Sequence, residues 1–132
     1  GQRRGPRDWL CRIVRKAGVE PPIAVMNAGI PASHVEVLVR RDPSGNALVW
    51  LINHEEIGGE HLVGGSGLAR AESVCELRTG ARPQPDAADR YAFDLPPLDV
   101  AILAVGTREF VQERLAAHQA IPAAVREMPV YE

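Results

Sequence analysis

The stretch that follows Asn53 carries the densest group of titratable side chains in the sequence. The group consists of His54, Glu55, Glu56, Glu60 and His61. Imidazoles and carboxylates can bind a divalent metal or transfer protons, so this stretch is the first candidate for chemistry. Its spacing does not fit the helical His-Glu-x-x-His zinc motif, because Gly58 stands where the second histidine would be. The sequence therefore predicts a solvated polar loop, with no metal and no cofactor.

A second candidate is the Gly-Gly-Ser-Gly run at residues 64–67, which superficially resembles a nucleotide-binding turn. A dinucleotide fingerprint that starts at Gly65 would place Arg70 where a third small residue is needed, and no Lys-Ser/Thr pair follows. Ser66 does not lie in a nucleophile elbow, because Leu68 replaces the second glycine of that motif. We therefore predict that residues 54–67 form a loop with at most one short strand, and that residues 64–67 are a flexible hairpin loop.

Paired carboxylates can cleave a glycosidic bond when they lie about 5–10 Å apart. Asp94 and Asp99 flank Pro96 and Pro97. Acids beside prolines at strand ends are typical of turns, so we predict a structural role for both and no catalytic residue in this chain.

Trp50 is the aromatic residue that we single out as a possible ligand contact, since most other aromatic residues lie in apolar patterns typical of a core. The candidate ligand-binding set comprises Trp50, Asn53, His54, Glu55 and His61. His34 and His118 stand apart from these in sequence, and we predict them to be surface or capping histidines.

Length and composition limit the remaining classes of function. The 132 residues fit one domain, and the formal net charge of -2 argues against nucleic acid as a partner. No apolar run approaches the roughly 20 residues that span a bilayer, so no membrane partner is expected. The absence of a secretion signal favours the cytoplasm, where Cys11 and Cys75 would be buried free thiols; a disulfide between them is the alternative.

Periodicity predicts the elements. Residues 8–17 have a helical apolar stripe, whereas residues 34–41 and 47–53 have the pattern of two strands, joined by a turn at 42–46 into an antiparallel hairpin. Because residues 48–52 are apolar throughout, both faces of the second strand should be covered. Further strands are predicted at 73–77, 91–95 and 100–105. A helix begins near Thr107, with an apolar stripe formed by Phe110, Val111, Leu115 and Ile121.

These elements define a mainly β fold. We predict an antiparallel β-sandwich with a short N-terminal helix and a C-terminal helix. Residues 1–7 are a flexible lead-in, residues 8–106 form the sandwich domain with its N-terminal helix, and residues 107–132 form a helical extension.

Several segments together resemble a known family. They are the helix at 9–17, the strands His34-Val-Glu-Val-Leu-Val-Arg-Arg41 and Leu48-Val-Trp-Leu-Ile-Asn-His54, the turn Cys75-Glu-Leu-Arg-Thr-Gly80 and the closing strand Leu95-Pro-Pro-Leu-Asp-Val-Ala-Ile-Leu103. In this order they resemble the carboxy-terminal β-domain of family 42-type β-galactosidases and related glycoside hydrolases, over residues 9–105.

The resemblance implies an antiparallel β-sandwich that carries none of the catalytic acids, because the family's acid and nucleophile lie in a separate barrel. We therefore expect a non-catalytic accessory domain of a glycoside hydrolase, which is not an enzyme by itself. Its expected partner is the catalytic barrel or another protein chain. The alternative is a carbohydrate-binding module that uses Trp50 and the loop at residues 54–61.

Overall fold

The computed structural model describes residues 23–121. The predicted lead-in at 1–7, the predicted helix at 8–17, Cys11 and residues 122–132 lie outside the described residues. The elements, in chain order, are β1 (Ala24–Asn27), β2 (Ile30–Pro31), β3 (Val35–Arg41), β4 (Ala47–Asn53), β5 (Gly59–Gly64), α1 (Ser66–Ala69), β6 (Ser73–Glu76), β7 (Tyr91–Leu95), β8 (Val100–Gly106) and α2 (Arg108–Gln119).

The strands form two antiparallel sheets of four strands each, which confirms the predicted mainly β sandwich. The first sheet has the order β2-β1-β5-β7, and the second has the order β3-β4-β8-β6. Strands β3 and β4 form the predicted antiparallel hairpin. Their pairing runs from Val35 opposite Asn53 to Arg41 opposite Ala47. Its turn is held by Asp42, whose carboxylate accepts the backbone N–H groups of Ser44 and Asn46.

The core lies between the two sheets, and alternate residues of each strand enter it. Val49 and Leu51 of β4 are fully buried, whereas Leu48, Trp50 and Ile52 on the opposite face are half-buried. The sequence predicted that both faces of β4 are covered. In the structure the inner face of β4 is fully buried, and the outer face is half-buried. The main buried cluster draws on both sheets and includes Val25, Val63, Phe93, Leu95, Ala101 and Leu103.

Helix α2 covers part of the outer face of the second sheet. Thr107 caps its start, since the Thr107 hydroxyl accepts the N–H of Phe110 at 3.1 Å. Val111 and Leu115, four positions apart on one helical face, are buried against Cys75 and Ala104. The predicted C-terminal helix is thus confirmed, and it closes a second apolar cluster over β6 and β8.

The prediction for residues 54–67 allowed one short strand, and the structure has it at residues 59–64, where β5 is an inner strand of the first sheet, between β1 and β7. Gly58 and Gly64 serve close approach rather than flexibility. A Cβ added at Gly58 would lie 2.7 Å from the carbonyl oxygen of Leu95, and one at Gly64 would lie 3.0 Å from Cγ of Arg90. The run at 64–67 leads from β5 into the short helix α1 and is not a hairpin loop.

Cys75 is a fully buried free thiol beneath α2. Burial raises the pKa of this thiol, and the nearby Arg82 guanidinium offsets the effect in part.

We expect iodoacetamide to alkylate Cys75 at least 100-fold more slowly in the folded chain than in ~6 M urea, because the thiolate is the reactive form and needs access. Mass spectrometry of the peptide that contains Cys75 measures both rates. Equal rates in the two conditions would contradict the burial of this side chain.

Candidate functional site

Three of the predicted site residues, Asn53, His54 and Glu55, lie at one end of the sandwich, which we call the loop end. It comprises residues 54–58 between β4 and β5, residues 77–80 directly after β6, and residues 96–99 between β7 and β8. Three polar side chains, Asn53, His61 and Glu76, are buried at this end. A buried polar group is costly unless it is hydrogen-bonded, so the partners of each decide what it does.

Asn53 joins two of the loops. Its side-chain N–H₂ donates to the carbonyl oxygens of Ile57 at 3.2 Å and of Pro96 at 3.1 Å, and its side-chain oxygen accepts the N–H of Glu55 at 3.0 Å. The N–H of Leu98 in turn donates to the carbonyl oxygen of Glu55 at 2.9 Å. Asn53 therefore holds the 54–58 and 96–99 connections in one fixed arrangement from a buried position.

Glu76 organises the third loop. Its carboxylate accepts the backbone N–H groups of Arg78, Thr79 and Ile102, at 3.1, 2.9 and 2.9 Å. The backbone N–H of Gly80, where φ is +77°, closes the turn on the carbonyl oxygen of Glu76. Sequence reasoning recognised the strand and turn at 75–80 but missed Glu76 as its organiser, because an acidic residue in a strand gives no sign of being buried.

His61 lies inside the sandwich rather than on a loop. Its Nδ1 lies 2.8 Å from the carbonyl oxygen of Gly59, and its Nε2 lies 2.8 Å from Nε2 of His34. A carbonyl can only accept, so Nδ1 of His61 donates, and in the neutral pair His34 donates to Nε2 of His61. His34 was predicted to be an isolated surface or capping histidine. That prediction is wrong, because the fold brings it to His61, 27 positions away.

The remaining candidates lie on the surface. His54 is exposed and its Nε2 lies 2.9 Å from a carboxylate oxygen of Glu36. The side chain of Glu55 is also exposed, while its backbone carries the contact between loops. Trp50 lies half-buried on the outer face of the second sheet, opposite Leu38 and Ile102 in the strand register. The structure thus brings Asn53, His54 and Glu55 together, but Trp50 and His61 project from different faces.

The two acids beside the prolines have different surroundings. Asp94 is exposed on β7, whereas Asp99 precedes β8 and lies 2.7 Å from the guanidinium of Arg78. Burial opposes ionisation of Asp99, yet hydrogen bonds from Arg78 and from the N–H of Val100 outweigh it and lower its pKa below the ordinary value. Asp99 is therefore an anionic partner of Arg78, which also donates to the carbonyl oxygen of Val100.

A shallow cleft of about 400 Å³ lies at the opposite end of the sandwich. Its lining includes the hydroxyl residues Ser44, Ser66 and Thr107 and the guanidinium groups of Arg41 and Arg70. No histidine, and no cysteine, is among the lining residues, so none of these hydroxyls has an activating imidazole beside it.

Two further observations concern metals and membranes. Among residues 23–121, no three His, Cys, Asp or Glu side chains lie where they could hold one metal ion. The same residues contain no helix with the length and apolarity needed to cross a bilayer.

Comparisons with known proteins give limited similarity. No family model matches the chain, and no curated protein matches it. One similar solved structure is a candidate alpha-galactosidase from Bacteroides fragilis, with 15% sequence identity and a TM-score of 0.45. The alignment covers 58% of this chain and 17% of that chain. Similarity at this level assigns neither a family nor an activity to the present chain.

We predict that Asn53→Asp destabilises the protein by about 1–3 kcal/mol at pH 7, since a carboxylate cannot donate to the carbonyls of Ile57 and Pro96. Urea unfolding followed by circular dichroism measures the change. The matched control is Asn27→Asp, because Asn27 makes one exposed hydrogen bond, to the carbonyl oxygen of Glu60; its effect should stay within about 0.5 kcal/mol. Equal effects of the two substitutions would refute the role assigned to Asn53.

The lowered pKa of Asp99 makes a prediction about pH. A carboxylate whose folded pKa is depressed contributes stability above its unfolded pKa of about 3.9, and that contribution is lost as the pH falls through the folded pKa. Asp99→Asn should therefore lower stability at pH 7 by about 0.5–1 kcal/mol, a small amount because the pair is partly exposed, and the difference from the unsubstituted chain should shrink below pH ~3.

Urea unfolding at several pH values measures this dependence. Asp94→Asn is the matched control, since Asp94 is exposed on β7, and it should stay within about 0.5 kcal/mol of the unsubstituted chain. A destabilisation by Asp99→Asn that is the same at pH 7 and pH ~2.5 would argue against a role of its charge.

Proposed function

We propose that the chain is a non-catalytic accessory domain of a glycoside hydrolase, which stabilises or assembles the enzyme by packing against a catalytic barrel or another protein chain. The motifs that resemble the carboxy-terminal β-domain of family 42-type β-galactosidases support this proposal. Those within the described residues fall in one antiparallel β-sandwich, the fold that the resemblance implies. The segment at 95–103 forms the end of β7 and most of β8.

The observation that carries the proposal is a pair of exposed apolar side chains at the loop end, Ile57 and Leu98, which we call the apolar tip. These side chains are 78% and 63% exposed. Their loops are fixed, because Asn53 holds the carbonyl of Ile57 and the N–H of Leu98 binds Glu55. Leu98 also has a φ of +51°, a left-handed conformation that costs a leucine of the order of 1–3 kcal/mol. Apolar side chains held rigidly in water are typical of a preformed contact surface.

The polar groups of the loop end favour a structural use over a catalytic one. Glu76 is bound by backbone N–H groups, Asp99 by Arg78, and His61 by Gly59 and His34. Each of these three groups is thus committed to holding the protein's own backbone or side chains. This arrangement gives the apolar tip a rigid support, which suits a domain that packs against protein.

The proposal predicts the effect of two substitutions. Ile57→Asp and Leu98→Asp should change the unfolding free energy of the isolated chain by no more than about 0.5 kcal/mol, because both side chains are exposed and Asp tolerates positive φ better than Leu. In the enzyme encoded by the same or a neighbouring reading frame, each should lower the midpoint temperature of heat inactivation by several degrees, roughly 3–5 °C. Residual glycosidase activity after heating measures this.

Ser44→Asp is the matched control, since Ser44 lies on an exposed turn at the opposite end of the sandwich. It should leave both quantities unchanged. Two outcomes would refute the proposal: a reading frame and neighbours that encode no hydrolase, or hydrolysis of nitrophenyl glycosides by the purified chain that is lost in Asp99→Asn.

Carbohydrate binding is the alternative function, and a titration distinguishes it. Trp50 lies half-buried on the outer face of the second sheet, so a sugar stacked there would change its fluorescence. Our proposal expects no saturable change with oligosaccharides up to millimolar concentration. A saturable change that disappears in Trp50→Ala would instead favour a carbohydrate-binding module.

A further inference from the structure

Strand β3 is an edge strand of the second sheet, and its backbone has one side turned away from β4. The N–H of His54 donates to the carbonyl oxygen of His34 at 3.0 Å, which makes these two residues a hydrogen-bonded pair in the antiparallel register. Because such pairs alternate along the ladder, the even-numbered residues of β3 turn their N–H and C=O groups towards β4. The odd-numbered residues turn theirs outwards. Within residues 23–121, no strand other than β4 pairs with β3.

The side chains of this edge are partly apolar and exposed. Leu38, in the middle of β3, is 48% exposed on the outer face, where it lies opposite Trp50 of β4. Val39 on the other face is also exposed. A long edge strand with exposed apolar side chains favours pairing with another strand. The charges on β3 indicate which strand fits.

The charges of β3 are arranged symmetrically about Leu38. Glu36 lies two positions before it and Arg40 two positions after it, both on the outer face of the sheet. If a second copy of β3 runs antiparallel with its Leu38 opposite this Leu38, each Glu36 faces an Arg40. On the inner face, Val37 of each copy then lies opposite Val39 of the other copy. The odd-numbered residues then form the hydrogen-bonded pairs, which uses the groups that point outwards.

We propose that β3 is a dimer interface, at which two copies of this chain pair their β3 strands antiparallel about a two-fold axis at Leu38. The dimer joins the second sheets of both copies into one sheet of eight strands. It covers both Leu38 side chains and places them between the two Trp50 residues. The contact is isologous, so it uses up the open edge of each copy and closes after two chains. It does not depend on the proposed function of the domain.

Electrostatics select this register from its neighbours. Among the five antiparallel registers centred on residues 36 to 40, the one centred on Leu38 sets an acid opposite a base. Centring on Glu36 or Arg40 sets like charges opposite each other, and centring on residue 39 sets Glu36 opposite Asp42. Centring on residue 37 sets Arg40 opposite a histidine. Opposite charges directly across a strand pair stabilise it, and like charges destabilise it.

Light scattering after size-exclusion chromatography of the full 132-residue chain tests the dimer. We expect twice the monomer mass at tens of micromolar. Glu36→Arg and Arg40→Glu should each weaken dimerisation by about tenfold, because each makes both cross-strand pairs repulsive. An equimolar mixture of the two variants should restore the dimer, since every pair in the mixed dimer is again of opposite charge. Circular dichroism confirms that each variant is folded.

Cysteine crosslinking tests the register itself. Residues directly opposite in a non-hydrogen-bonded pair have Cα atoms about 4.5 Å apart, within reach of a disulfide. Leu38→Cys should therefore form a crosslinked dimer under mild oxidation, seen on a non-reducing gel. Arg40→Cys is the matched control: its two copies would be four strand positions apart, about 13 Å, and should not crosslink. The unsubstituted chain, oxidised under the same conditions, is the control for any disulfide that the native cysteines form.

Three outcomes would overturn the proposal. One is a monomer at all concentrations up to about 1 mM. A second is a dimer that survives both charge reversals unchanged, which would place the contact elsewhere on the surface. The third is crosslinking of Arg40→Cys as efficiently as Leu38→Cys, which would mean that the strands do not pair about Leu38.

Discussion

The apolar layer between the two sheets is the constraint on which the rest of this structure depends. Val49 and Leu51 of β4 and Leu103 of β8 are fully buried in it, and they set which face of each strand points inwards. Because side chains alternate along a strand, this choice also places Leu48, Trp50 and Ile102 on the opposite face. Helix α2 packs over part of that second face, while Trp50 and Leu38 lie beyond its buried cluster.

The closure of the core also determines the character of the loop end. Loops that leave a packed sandwich carry backbone groups that need partners, and here Asn53 and Glu76 supply many of them from buried positions. His61 and His34 add a polar contact between the two sheets. The loops are consequently extensions of the core, and the exposed Ile57 and Leu98 are displayed on a rigid support. The proposed contact with protein depends on this rigid support.

Much of the fold was predictable from the sequence because its signals are local. The period-two pattern of 34–41, the turn chemistry at 42–46 and the apolar run of 100–105 each depend on near neighbours, and the structure has strands and a turn there. Thr107 similarly marks the start of α2. The short strands β1 and β2 were not predicted. The strand allowed within residues 54–67 could not be located from the sequence, because its glycines are typical of a loop and its partners β1 and β7 lie more than 25 positions away.

The candidate site was predicted in part for the same reason. Asn53, His54 and Glu55 are adjacent in sequence and remain together in the fold. The contact between His34 and His61 and the burial of Glu76 arise from tertiary packing, which no local pattern reveals. The prediction of a solvated polar loop is therefore wrong for His61, which is buried in strand β5.

The loop end is rigid because buried polar side chains hold its backbone. Amide hydrogen exchange, followed by NMR on the full chain, tests this rigidity most directly. The amides of Glu55, Thr79 and Leu98 lie in loops, yet each donates a hydrogen bond within the locked arrangement. We predict protection factors within about tenfold of those measured in β4. Exchange of these three amides at the rate of an unstructured chain would contradict the account.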